Sequence, residues 1–311
     1  MSTNDLQLHP RSDSELPLSP TELRLKASAE LDAKSSLEVL RLLNAEDGVA
    51  VAAVAAVLPE LAALVDLAAE RFRRGGTVHY FGAGTSGRLG VLDAAELLPT
   101  FNLEPGRVVG HIAGGAAALV NAVEDAEDSE AEGRAAAAGL GPDDIAIGLA
   151  ASGNTPYVGG ALAAARGRGA HTALVSSNPH AALAHLADTA LVLATGAEVL
   201  TGSTRLKAAT AEKLVLNGFS TALMIAVGRT WSNLMVSVVA TNEKLRLRTV
   251  RILQEATGLE HAPAIGLLAA ADGDLKTAIV AELGQLGIDE ARRRLDDNGG
   301  SVRAALIDSP H

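Results

Sequence analysis

Cysteine is absent from the 311-residue chain, which excludes disulfides, thiolate-ligated zinc, iron–sulfur clusters and cysteine nucleophiles. Aromatic residues are scarce, at 2%, so the core must be Ala, Val and Leu packed closely rather than large rings. Basic residues are in deficit: 26 Lys and Arg against 37 Asp and Glu give a net charge of −11. That balance argues against nucleic acid or an anionic membrane as partner, since both call for clustered cations. Long unbroken apolar runs are missing as well. Val49–Leu67 is interrupted by Pro59 and Glu60 and is read as core helix rather than a membrane span. The opening MSTNDLQLHP has no basic stretch leading into an apolar one, so no signal peptide is expected and a soluble cytoplasmic protein is the default.

What is present is a globular composition, 48% apolar and 20% charged, which excludes wholesale disorder. Residues 1–20 are polar, carry Pro10, Pro17 and Pro20, and read as a disordered tail. Residues 21–64 read as N-terminal helices, with Leu37, Leu40 and Leu43 on one side of the first. Asn44 and Asp47 are expected to cap a second helix through Val54, Leu58, Leu61 and Val65. From about 65 to 230 short apolar runs alternate with Ala-rich helical stretches: Thr77–Phe81, Arg107–Ile112, Asp144–Leu149, Thr172–Val175 and Thr189–Leu193. Strands separated by helix-length segments predict an α/β domain, a doubly wound parallel five-stranded sheet covered on both faces. Long helices are expected over Ser203–Val227 and Asn233–Glu255, the latter within a 231–257 segment. Residues 258–311, punctuated by glycine, read as a small helical bundle.

In an open parallel sheet, ligands bind beyond the carboxyl ends of the strands. The loop after the first strand is Gly82-Ala83-Gly84-Thr85-Ser86-Gly87-Arg88, formally a G-x-G-x-x-G dinucleotide turn. The second strand, however, does not end in the acidic residue that would hold a ribose hydroxyl. Thr85 and Ser86 suit a phosphate or sugar hydroxyl at a helix N-terminus better. A plain βα turn without ligand is the bland alternative. After the third strand, Ala150-Ala151-Ser152-Gly153-Asn154-Thr155-Pro156 repeats this chemistry. Ser152, Thr155 and the amides around Gly153 could cradle a phosphate, or Ser152 could simply cap a helix. A third cluster, Gly196 to Lys207, brings Ser203, Arg205 and Lys207 to a helix start, where the cations could equally be solvated surface.

Carboxylates supply the acid–base candidates. Glu96 stands among apolar neighbours in Asp93-Ala94-Ala95-Glu96-Leu97-Leu98, a setting suited to proton transfer. Glu124, Asp125, Glu127 and Asp128 read as a solvated run. His180 and His185 lack ligand spacing and no H-E-x-x-H occurs, so surface or packing roles are expected of them rather than a metal site; no G-x-S-x-G elbow or Walker loop occurs either.

Taken together, Tyr80–Gly90, Asp93–Phe101, Ala113-Gly114-Gly115, Val123–Asp128, Ala151-Ser152-Gly153 with Thr155-Pro156-Tyr157, Gly196–Lys213 and Ala240–Leu245 make the chain resemble the bacterial N-acetylmuramic acid 6-phosphate etherases. These belong with the sugar-isomerase (SIS) fold and are related to glucokinase regulatory proteins. The resemblance runs from about Thr21 onward. It implies cleavage of the D-lactyl ether of N-acetylmuramic acid 6-phosphate, giving N-acetylglucosamine 6-phosphate and D-lactate in cell-wall amino-sugar recycling, without metal or cofactor. It assigns catalysis to Glu96 and Glu127, which reverses the surface reading of Glu127. Phosphate and sugar fall to Ser152, Gly153, Asn154, Thr155, Thr85 and Ser86, with Ser203 and Lys207 completing the pocket. A homodimer with its site near the chain interface is implied as well. Ala150 stands where SIS phosphate loops often carry a serine, so one donor is expected from elsewhere. The alternatives are a non-catalytic sugar-phosphate-binding regulator and a sugar-phosphate isomerase; a dinucleotide-dependent oxidoreductase is weaker than either.

Overall fold

The computed structural model describes residues 19–238 and 243–307. The expected N-terminal tail therefore lies almost wholly outside the described residues, as do Ala240, Thr241 and Asn242 of the sequence resemblance.

Five strands, β1 (Val78–Gly82), β2 (Val108–Ile112), β3 (Ile145–Leu149), β4 (His171–Ser176) and β5 (Thr189–Val192), form one parallel sheet in the order β2-β1-β3-β4-β5. These are the five runs nominated by the sequence. Every residue of β3 is buried, as a strand covered by helices on both faces requires. Gly82 is level with Ile112 on one side and Leu149 on the other, so three strands end together at the carboxyl edge. The chain leaves β1 toward β2 and later returns to the opposite flank as β3. That reversal puts the crevice used for ligands in such sheets between β1 and β3.

Alternation along the strands builds two cores. Val78 and Tyr80 of β1 join Ile145, Ile147 and Leu149 of β3 on the face covered by α1 (Ser36–Ala55), α2 (Leu58–Arg73), α3 (Gly84–Phe101) and α6 (Lys207–Ala226). Phe81 and Ala146 point the other way, under α4 (Glu130–Ala136) and α5 (Pro156–Gly167). Six of the seven aromatic residues, all but Trp231, are buried. The few rings are thus spent at the centre, each replacing a good deal of apolar surface that alanine cannot supply.

Two expectations about the helices need correction. Asn44 and Asp47 lie inside α1 rather than capping a second helix. α1 starts at a capping box in which Ser35 and Glu38 bond reciprocally, and the next helix starts only where Pro59 can sit in a first turn. Leu37 and Leu40 are exposed, whereas Ala50, Ala53 and Val54 form the buried side. Because α2 runs across residues 64 and 65 and packs into the sheet's core, no structural break separates the N-terminal helices from the sheet domain. The second correction is at Asn233: the backbone there is irregular, with a Trp231–Leu234 bridge and Ser232 in the left-handed region, and α7 begins at Glu243 (Glu243–Thr257). Together with α8 (His261–Ala270), α9 (Leu275–Leu283), α10 (Ile288–Asp297) and α11 (Val302–Ile307), α7 encloses a separate core around Leu253, Leu275, Ile279 and Val302. Among the described residues no single helix is long and apolar enough to cross a membrane.

Candidate active site

The first loop is shaped by close approach. A Cβ on Gly82 would lie 2.7 Å from the Gly87 nitrogen, and one on Gly87 would lie 2.6 Å from the Gly82 oxygen. Two glycines therefore let the first turn of α3 sit directly on the end of β1. The helix N-terminus, with its unpaired amides, consequently meets the crevice. Thr85 and Ser86 lie in that first turn, half-buried, and the Thr85 hydroxyl has no hydrogen-bond partner among the described residues.

The second loop, between β3 and α5, contains the other predicted donors. Gly153 has φ +71°, and a Cβ there would overlap Ala181, so its conformation and its space both demand glycine. Asn178 Nδ2 donates to the Ser152 carbonyl at 2.9 Å, and Asn154 Oδ1 accepts from the Ala182 amide at 2.9 Å. Asn154 is thus a brace as well as a candidate contact. Thr155 precedes α5 yet makes no side-chain cap bond, which leaves its hydroxyl for a ligand. Ser177, whose amide bonds to the Ala151 carbonyl at 2.9 Å, has a buried hydroxyl without a partner. It is the hydroxyl beside this loop that sequence reading left unnamed when Ala150 suggested a missing donor.

Glu127 lies in a short 3₁₀ turn, Ala126–Asp128, on the connection after β2. A cavity of about 240 Å³ opens there between this connection and the glycine loop, lined by Ala83, Gly84, Arg88, Asn121, Asp125 and Glu127. Arg88 fixes its wall by donating to the carbonyls of Leu119 at 3.1 Å and Asn121 at 3.0 Å. Glu96 is elsewhere. It is exposed on α3, twelve residues and so roughly 18 Å of helix beyond Gly84, close along the helix to the exposed Leu92. The apolar enclosure inferred from its sequence neighbours is not present within one chain, because Leu97 turns inward and Leu98 outward. A single chain joins Glu127 to the first loop but does not bring Glu96 into that cavity.

The third cluster is mostly closed. Ser203 is in a half-buried turn. Lys207 does not stand open to a ligand: it is 3% exposed and its ammonium is bound by Glu46 of α1. Glu198, fully buried, accepts the amides of Lys207 at 3.2 Å and Ala208 at 3.0 Å, capping α6 with a negative charge. Burial raises the Glu198 carboxyl and these amide bonds oppose the rise. The Lys207–Glu46 pair ties α6 to α1, so the pocket contact expected of Lys207 is replaced by a structural role.

Two further acids were not singled out from sequence. Asp93 on α3 is pushed up to about 6 by burial, against hydrogen bonds donated by Ser220 and Tyr80, both at 3.0 Å. Glu212 on α6 is pushed up to about 7 by burial, with the Ser86 hydroxyl favouring the charged form. Glu212 was legible in principle, since it falls on the buried stripe Ala208, Ala211, Val215 and Phe219, where a carboxylate is out of pattern.

The topology and the hydroxyl-bearing loops at the switch point define a sugar-isomerase (SIS) class of domain. Residues 60–166 match the family model of the glucokinase regulatory protein N-terminal SIS domain. Among solved structures, a phosphoheptose isomerase from Francisella tularensis aligns with TM-score 0.48 and 18% identity, covering 62% of this chain and all of that one. Sequence relatives go further. The N-acetylmuramic acid 6-phosphate etherase of Thermobifida fusca is 55% identical over 86% of this chain and 88% of its own. That of Streptomyces avermitilis is 50% identical over 97% and 98%, and that of an Escherichia coli strain 49% over 92% and 97%. The chain belongs to the N-acetylmuramic acid 6-phosphate etherase family.

Proposed function

We propose that the chain cleaves the D-lactyl ether of N-acetylmuramic acid 6-phosphate, yielding N-acetylglucosamine 6-phosphate and D-lactate, in cytoplasmic recycling of cell-wall amino sugars. The observation that carries this reading is Glu127 opening on the cavity whose far wall is the glycine loop, in a chain of this family. In the open-chain sugar the aldehyde acidifies the C2 hydrogen. The Glu127 carboxylate takes that proton, the C2–H electrons form the C2=C3 bond, and the C3–O bond breaks. Protonated Glu96 supplies the proton to the departing lactate oxygen. Water then adds at C3, keeping one hydrogen in the new hydroxyl and giving the other to Glu96, while Glu127 returns to C2 the proton it had taken, which restores both residues. Ser152, Gly153, Asn154 and Thr155 hold the phosphate, Thr85 and Ser86 the sugar, and the turn at Ser203 borders the pocket.

Because Glu96 is remote from Glu127 within one chain, the reading requires a homodimer in which Glu96 of a second copy completes each site. Exposed Leu92 and Leu98 on the same helix support such a contact. Incubation with N-acetylmuramic acid 6-phosphate in ¹⁸O-water tests the proposal: D-lactate is released and ¹⁸O enters the sugar at C3. Aldose–ketose interconversion without lactate would identify an isomerase instead. Mixing inactive E96Q with inactive E127Q chains should restore part of the activity through hybrid dimers, and no recovery would rule out the shared site.

A further inference from the structure

Glu212 is 1% exposed, and neither of its carboxyl oxygens has a hydrogen-bond partner of good geometry among the described residues. A buried carboxyl left in this state is costly, and a stability role does not explain it. Its surroundings offer no cation in compensation. On α6 itself, Lys207 is taken by Glu46 and Lys213 is exposed toward Asp93. From α1, Glu46 and Asp47 face Lys207 and Thr210; from α3, Asp93 is held by Tyr80 and Ser220. From α2, Arg73 donates to the Ala226 carbonyl at the far end of α6, and before α6 Glu198 is held by amides. The polar group that does act on Glu212 is the Ser86 hydroxyl, in the first turn of α3 at the switch point.

We propose that Glu212 is a positioning residue: lying beneath the glycine loop, its carboxyl sets the direction in which the Ser86 hydroxyl donates, and thereby how well that loop holds an acceptor oxygen of the sugar. The inference rests on the etherase reading of the site. While Glu212 is protonated it donates to Ser86 Oγ, and the Ser86 hydrogen is free to point at the ligand. Once Glu212 ionises, it accepts that hydrogen, and Ser86 presents only a lone pair to that sugar oxygen. Burial pushes the Glu212 carboxyl up to about 7, so the changeover falls between the two ends of the pH span of the test.

The test is the pH dependence of KM for lactate release between pH 6 and 8.5, in wild type and in E212Q. Glutamine donates to Ser86 at every pH. The ratio of wild-type KM to E212Q KM should rise at least threefold from pH 6 to 8.5. Titration of the substrate phosphate and of Asp93 affects both proteins alike and cancels in that ratio. A constant ratio overturns the proposal, as would a wild-type rise that survives in S86A, which lacks the hydroxyl; S86A alone decides the matter if E212Q does not fold. Should wild type release no lactate at all, the etherase reading fails separately. Calorimetric binding of N-acetylglucosamine 6-phosphate at pH 6 and 8.5 to wild type and S86A then still tests the Glu212–Ser86 pair.

Discussion

The glycine loop with its cavity and the start of α6 lie at the same carboxyl edge of the sheet, yet they handle polar groups in opposite ways. Around the two hydroxyl-bearing loops, the side chains of Thr85, Thr155 and Glu127 have no hydrogen-bond partner among the described residues, and the glycine-loop backbone is held by Arg88 and the Gly82–Gly87 contact instead. At α6, charge is consumed internally: Lys207 on Glu46, and Glu198 on two amides. The difference separates groups available to a ligand from groups that hold the scaffold rigid. A charged side chain near a strand end is therefore not by itself a site residue; whether its charge is already neutralised decides. Glu212 is the exception on the closed side, buried like scaffold but unpaired like a site.

The comparison can be broken first at Glu127. E127Q should lower the rate of lactate release about 10²–10⁴-fold with no change in melting temperature, since the residue is exposed; near-normal turnover removes it from the chemistry. K207A should do the reverse, costing about 1–3 kcal/mol of stability by leaving the half-buried Glu46 without its cation, read from urea unfolding. A stable K207A with raised KM would return Lys207 to the pocket. G153A forces a side chain into the left-handed region and against Ala181, and should raise KM about tenfold or more by opening the loop. S152A should raise KM several-fold at unchanged kcat, and an unchanged KM excludes it from the phosphate cradle.

The smallest effect lies in the strands themselves, at His111 of β2, which stacks on Phe81. Burial, with His79 beside it, pushes His111 down to about 4, while in the unfolded chain a histidine titrates near 6.5. Between those values the unfolded state binds more protons, so stability falls as pH drops from 6.5 toward 4. H111F should flatten the decline of the urea midpoint between pH 7 and 5, and an unchanged slope would exclude His111 as its cause.

The five strands, both hydroxyl-bearing loops and the SIS character were readable because alternation, glycine and hydroxyl positions are local signals with a local cause. Helix boundaries near Asn44 and Asn233 were misplaced where two capping options competed, or where Val236 and Val238 were buried outside a helix. The acidic run around Glu127 could not be told from solvated surface by composition, because its exposure is the same in either role.

Residue order alone thus determined which segments become strands, where glycine must stand, and that two hydroxyl turns share one edge, since backbone sterics and side-chain alternation act over a few neighbours. Which carboxylate meets the glycine loop, which lysine is already neutralised, and that Glu212 lies buried near Ser86 were decided only by packing. Those relations join residues tens to more than a hundred positions apart, and their free energy depends on desolvation that no short stretch of chain can reveal.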